Sequence, residues 1–177
     1  QGEAGSVPPV RYRDYAAWQA SEAVQERIRE QEAYWLQQFA DGVPVLELPT
    51  DYPRPTTARL EGATAEFELE PELYQGVKAM AQRAGTTLYT VLLAAYYVWL
   101  SKNSGQDDIV IGTPVAGRPH ADLERVVGMF VNTLPLRLQA SGQETFSVFL
   151  SQVKERVIAA QERSEYPFEE LVEKLAL

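Results

Sequence analysis

The chain has 177 residues, 45% hydrophobic and 23% charged, the composition of one globular domain or one large lobe. Lys and Arg number 16 against 25 Asp and Glu, a net charge of −9 with no basic run, which speaks against nucleic acid, where phosphate neutralisation supplies most of the affinity. The absence of cysteine excludes disulfides and thiolate metal sites, and a single histidine, His120, excludes a histidine metal cluster and leaves any His-dependent triad only that residue.

Residues 1–9 are polar, with Gly and two prolines, and read as a linker without the features of a signal peptide. Asp14 is placed to cap a short helix carrying Tyr15 and Trp18. Val24, Ile28, Trp35, Leu36 and Phe39 recur at helical spacing, so a helix is predicted over about residues 22–40, stopped by Gly42. Residues 43–60 hold four prolines and no period, an extended loop. Residues 64–69 alternate as a strand. Pro71 then opens a helix whose face is Leu73, Val77, Met80, Ala81 and Ala84, ended at Gly85.

Residues 88–100 are apolar everywhere except Thr90. Their 13 positions fall short of the roughly 20 a bilayer span needs, so the segment predicts a core helix buried nearly all round, capped by Thr86 or Thr87. A turn at 103–108 leads into a strand over 109–115, central in the sheet by its continuous apolar start. A polar loop or short helix fills 116–124. Residues 131–138 alternate again, and Pro135 places that strand at an edge or lets it pair only on the side away from Pro135. Thr145 caps a helix with the face Phe146, Phe149, Leu150, Val153 and Val157. Pro167 opens a last helix with Glu169 and Glu170 in its first turn and Phe168, Leu171, Val172 and Leu175 inward. Helices alternate with three or four strands, so the predicted class is α/β in a two-layer α+β arrangement: one mixed sheet with helices packed on one face. There is no internal repeat.

Asn132 stands out, because it shares a strand face with Leu134, Leu136 and Leu138. By itself it reads as a satisfied core amide or a strand-start turn; the sharper reading is a polar group aimed into a pocket.

Three stretches carry a resemblance: YRDYAAW at 12–18, VGMFVNTLPLR at 127–137 and YPFEELV at 166–172. Together they resemble the condensation domains of non-ribosomal peptide synthetases. The middle stretch matches that family's (I/V)GxFVNTxxxR almost letter for letter, and the three occur in the family's order. LPTDYPRP at 48–55 resembles a fourth segment. The resemblance spans essentially the whole chain and implies a lobe like chloramphenicol acetyltransferase, the second of two. The family's HHxxxDG, which lies upstream of the YRDYAAW-type motif, is absent, as is its last motif, RDxSRNPL. The expected organisation is therefore residues 1–177 as a C-terminal lobe, with 1–10 a linker stub and the N-terminal lobe absent.

The resemblance also implies chemistry. Condensation domains form a peptide bond between donor and acceptor groups held as 4'-phosphopantetheine thioesters on peptidyl carrier proteins, in a tunnel between the lobes. Partners would be those carrier proteins, the N-terminal lobe and an adjacent adenylation domain, with no nucleic acid and no membrane, in the cytoplasm that a cysteine-free chain suits. The family's presumed base is the second His of HHxxxDG, so no catalytic residue and no metal ligand is assigned in this chain. There is no Ser in a GxSxG setting, and His120 reads as a solvated loop residue.

The substrate-channel residues implied are Asn132 and Thr133, the family's NT, whose neutral groups suit an amide-bearing arm, and Arg118, either in a loop crossing the lobe interface or contacting a pantetheine phosphate. Interlobe or structural roles fall to Asp14, Trp18, Tyr166, Pro167 and Phe168, the last three as a helix start with a core aromatic. Arg54 either pairs with the Asp of HHxxxDG or is a surface arginine among prolines. Two other readings remain: a non-catalytic recruitment domain and an epimerisation domain.

Overall fold

The computed structural model describes residues 10–53, 57 and 62–177. The expected linker at 1–9 and Arg54 lie outside the described residues. The elements are helix α1 (Tyr12–Gln19), α2 (Glu22–Gln38), α3 (Pro71–Arg83), α4 (Leu88–Ser104), strand β1 (Asp108–Val115), a 3-10 turn (Ala121–Leu123), strand β2 (Asn132–Gln139), α5 (Phe146–Gln161) and α6 (Phe168–Lys174). No helix among the described residues is long and apolar enough to cross a membrane.

The α/β class holds, with a smaller sheet than expected. β1 and β2 pair as two antiparallel strands, in the register that sets Ala140 N on Asp107 O at 2.8 Å. The mixed sheet of three or four strands does not form among the described residues, and β1 has one neighbour rather than a central place. β2 is an edge, as Pro135 requires. Residues 64–69 are not a strand: they run extended without a ladder partner, and Phe67 is 85% exposed. Alternation gives a strand its two faces, but pairing needs a second strand, and none of the described residues supplies one.

The chain forms two compact units. The first comprises Gln1–Val43, Ile111–Leu136 and Ala159–Leu177. Its spine is α2, which buries Val24, Ile28, Gln31 and Trp35 along one stripe. Phe39, Leu134, Leu136, Tyr166 and Leu171 are buried in the same unit. A satellite cluster of Leu123, Val126 and Phe130 packs with Val10 and Tyr15. α6 starts at Pro167 with Glu169 and Glu170 in its first turn and Lys174 in its last, both favourable to the helix dipole.

The second unit comprises Pro44–Val110 and Arg137–Ile158. Thr87 caps α4, its hydroxyl accepting from Thr90 N at 3.2 Å, and Gly105 ends it at φ +71°. α4 is not buried all round. Val91, Ala94, Tyr97 and Leu100 face the core, whereas Tyr89, Leu92, Tyr96 and Trp99 are 43–54% exposed. An all-apolar helix has no polar stripe to announce its solvent side, so this division had no signal in the sequence. α3 likewise buries only Ala81, with Val77, Met80 and Ala84 half-buried and Leu73 exposed. α5 buries Phe149, Leu150, Val153 and Val157, and Thr145 Oγ1 accepts from Val148 N at 3.4 Å, as its cap pattern predicts. Arg137 and Asp108 form a two-pronged ion pair, at 2.6 and 2.9 Å, in the same unit.

Gly117, in the loop after β1, has φ +60°, and a Cβ there would lie 1.7 Å from the Phe130 carbonyl oxygen. A left-handed conformation and a backbone clash act together, so Gly117→Ala should destabilise the chain by about 2 kcal/mol or more. For a chain of this size that lowers the melting temperature by about 4–8 °C. An unchanged thermal melt would show that the loop relaxes freely.

Candidate functional site

The first unit encloses a cavity of about 470 Å³. Its walls come from α1, from the loop after β1, from the approach to β2 and from the turn before α6. All three stretches behind the family resemblance therefore meet here.

The first and second stretches interlock through aromatic rings. Tyr12 meets Phe130 edge-on at 5.2 Å, Tyr15 lies 4.8 Å from Phe130, and Trp18 stands 5.8 Å from Tyr15. The Tyr12 hydroxyl donates to Met129 O at 2.9 Å. Gly128 has to be glycine for this contact, since a Cβ would fall 2.1 Å from the Tyr12 ring. Burial and the neighbouring Tyr12 and Glu165 push the Tyr15 phenol's pKa up.

Arg118 lies in the cavity wall with its guanidinium 4.1 Å from the Phe130 ring centroid. Its Nη1 donates to the carbonyls of Leu123 and Val126, the latter at 2.9 Å. The guanidinium thus folds the loop back on itself, an arrangement that favours a holding role over a phosphate contact.

Asn132 lines the cavity, and its carboxamide is fully engaged. Nδ2 donates to Ser164 O at 2.8 Å and Tyr166 O at 2.7 Å. Oδ1 accepts from Thr133 N at 2.9 Å and Phe168 N at 3.1 Å. An amide offers two donors and two lone pairs, so all four positions are taken by backbone groups. Of the two readings in the sequence, this geometry is that of a satisfied amide. Thr133 follows on β2, half-buried, and is not in the cavity wall.

The third stretch is held from α2 as well. Glu165, in the wall, accepts from Arg27 Nε at 2.8 Å and Nη2 at 2.7 Å. Gln31, 8% exposed, accepts from Tyr166 N at 3.2 Å and donates to Glu165 at 3.4 Å. Trp35 Nε1 donates to Arg163 O at 3.0 Å. Tyr166 is buried, and its hydroxyl donates to Glu32 at 3.4 Å. Burial first, then Glu32 and Glu170, raise its pKa from 10.0 to about 12. The raised value favours the neutral phenol in the folded chain, a stabilisation complete below pH 10.0 and lost as pH rises through about 12. Pro167 caps α6 and lines the cavity; Phe168 is half-buried.

Asp14 is the third residue of α1 rather than its cap. The helix starts after Arg11, and Asp14 Oδ2 reaches back to accept from Arg11 N at 3.0 Å. A carboxylate there still satisfies an orphan donor of the first turn. Trp18 is 42% exposed, with Arg27 5.6 Å above its ring. His120 is exposed, capping the 3-10 turn through Asp122 N at 3.3 Å. Among the described residues no cluster of His, Asp or Glu is arranged for a metal. The cavity wall holds no histidine; Glu165 is paired, and Glu169 stands at the exposed start of α6. The arrangement can bind and orient a neutral chain. Arg27, Gln31 and Glu165 were missed in the sequence. The one available signal was Gln31, a polar residue in the apolar register of α2.

The condensation-domain family profile matches residues 1–177. Gramicidin S synthase 2 of Brevibacillus brevis is 49% identical over 177 residues, 100% of this chain and 4% of that protein. The X-domain from teicoplanin biosynthesis superposes with a TM-score of 0.87 at 26% identity, over 100% of this chain and 40% of that one. The first condensation domain of the calcium-dependent antibiotic synthetase, in complex with a substrate analogue, superposes with a TM-score of 0.75 at 28% identity, over 90% of this chain and 36% of that one. The chain thus spans a small part of that synthetase and well under half of either solved chain. On the full-length family match and this similarity, the chain belongs to the condensation domains of nonribosomal peptide synthetases.

Proposed function

We propose that the chain is the C-terminal lobe of a condensation domain and supplies one wall of the channel through which carrier-bound acyl arms reach each other. The observation that carries this reading is the convergence of all three family stretches on one cavity. The reaction would join a donor and an acceptor, each a thioester on the 4'-phosphopantetheine arm of a peptidyl carrier protein. The acceptor nitrogen attacks the donor carbonyl, a C–N bond forms, the C–S bond breaks, and the amine proton ends on the departing thiol. This chain's part is to hold a neutral arm and exclude water. Aromatic and backbone-rich walls suit the amide and methylene portions of such an arm. The single cation in the wall, Arg118, is engaged with carbonyls, so the arm's phosphate would stay outside. The base would come from the N-terminal lobe, and an adenylation domain would load the acceptor.

A second reading is a recruitment role, and one observation favours it: the fit to the teicoplanin X-domain at TM-score 0.87. The 49% identity to a synthetase against 26% to that domain favours condensation. An intact HHxxxDG in the accompanying lobe supports condensation, and a degenerate one supports recruitment.

Three measurements follow. Pantetheine, the phosphate-free arm, should perturb amide resonances of residues 115–118 and 129–132 in the isolated chain; perturbation elsewhere only would refute the channel assignment. The isolated chain, given loaded donor and acceptor carrier proteins, should form no dipeptidyl thioester above background, and turnover matching a two-lobe domain would sink the proposal that the base lies elsewhere. Asn132→Ala should lower the melting temperature by about 3–10 °C, because roughly 1–3 kcal/mol is lost when buried backbone partners go unsatisfied. Unchanged melting with slowed condensation would instead make Asn132 a direct contact of the arm.

A further inference from the structure

Gln31 occupies a position where helical periodicity calls for an apolar residue. Its neighbours on the buried stripe of α2 are Val24, Ile28 and Trp35. At 8% exposure its amide has left water, which is unfavourable unless both ends find partners. Both do, and both partners belong to one segment: Oε1 accepts from Tyr166 N at 3.2 Å, and Nε2 donates to Glu165 at 3.4 Å. That segment has no helix or strand ladder of its own. From the other side Asn132 holds it, through Ser164 O, Tyr166 O and Phe168 N. Glu165 and Pro167 are part of the cavity wall, whereas Gln31 is not.

We propose that Gln31 is a positioning residue of the condensation reaction: it touches no substrate, and it sets where the Ser164–Phe168 turn stands at the cavity wall. This rests on the channel reading above. An isosteric apolar residue would fill the same space and keep the helix, but would leave Tyr166 N without an acceptor and Glu165 without its second partner. Gln31→Glu would separate the two bonds, since a carboxylate still accepts from Tyr166 N but faces the Glu165 carboxylate. Arg27 on α2 pairs with Glu165 and the Tyr15 phenol on α1 feels its charge, while Glu32 on α2, paired with Lys174 of α6, and Glu170 of α6 act on the Tyr166 phenol. Two carboxylates sharing a site raise one pKa, so a proton shared between them restores the lost bond as pH falls.

The test has two readouts. In the isolated chain, hydrogen exchange of the Tyr166 amide should quicken at least about tenfold in Gln31→Met, while the Phe168 amide, held by Asn132, keeps its protection. Gln31→Glu should retain protection at Tyr166. In the assembled two-lobe domain, Gln31→Met should lower kcat about 3- to 30-fold with KM little changed, because orientation and not affinity is lost. The rate of Gln31→Glu relative to wild type should rise as pH falls from about 8 to about 6. Unchanged Tyr166 exchange in Gln31→Met would overturn the proposal, as would quickened exchange with wild-type kcat per folded molecule. A wild-type assembled domain that forms no dipeptidyl thioester would overturn the channel reading, and this proposal with it. An active wild type matched by an equally active Gln31→Met would overturn this proposal alone.

Discussion

The carboxamide of Asn132 ties the start of β2 to the turn before α6, and the cavity's shape depends on that tie. Its two hydrogens reach Ser164 O and Tyr166 O, and its oxygen takes Thr133 N and Phe168 N. No other short side chain presents this set. Aspartate has the acceptors but no donors, leucine has the size but neither, and serine has one donor and too little reach. The turn has no ladder to satisfy its carbonyls and amides, so those groups need side-chain partners where water is scarce.

The same solution recurs around the cavity. Tyr12 bonds Met129 O, Arg118 bonds the carbonyls of Leu123 and Val126, and Gln31 bonds Tyr166 N. Loops form much of the walls, and polar side chains nearby fix loop backbone. Arg118 also stacks on Phe130, and Arg27 bridges Glu165 and Trp18, so charge serves shape here more than reactivity.

The second unit is organised by ordinary packing. α4 presents Val91, Ala94, Tyr97 and Leu100 to the core, with Tyr97 edge-on to Phe149 at 6.2 Å. Its opposite face carries Tyr96 stacked on Trp99 at 5.8 Å, both exposed. Ser101 and Thr90 are polar points in this interior, Ser101 bonding Ala140 O and Asp107.

The sequence by itself determined the helices, several of their caps and the family. Thr87 and Thr145 cap where their spacing says, Pro71 and Pro167 start helices, and Gly105 ends one in a left-handed turn. These are local effects, in which a residue acts on backbone within one turn of itself. The three motif stretches were legible because their letters are distinctive. Partnership was not legible. The 64–69 segment alternates yet pairs with no strand among the described residues, because a strand exists only when a second one meets its edge. The apolar run of α4 carried no phase, so its exposed side appeared only in three dimensions. In the sequence Asn132 reads as a core amide or as a channel group, and the difference lies in groups 32 to 36 residues away. Gln31 reaches across 134 and 135 residues to the same turn. Hydrogen-bond satisfaction at a site is a property of which segments the fold brings together, and only the tertiary structure decides it.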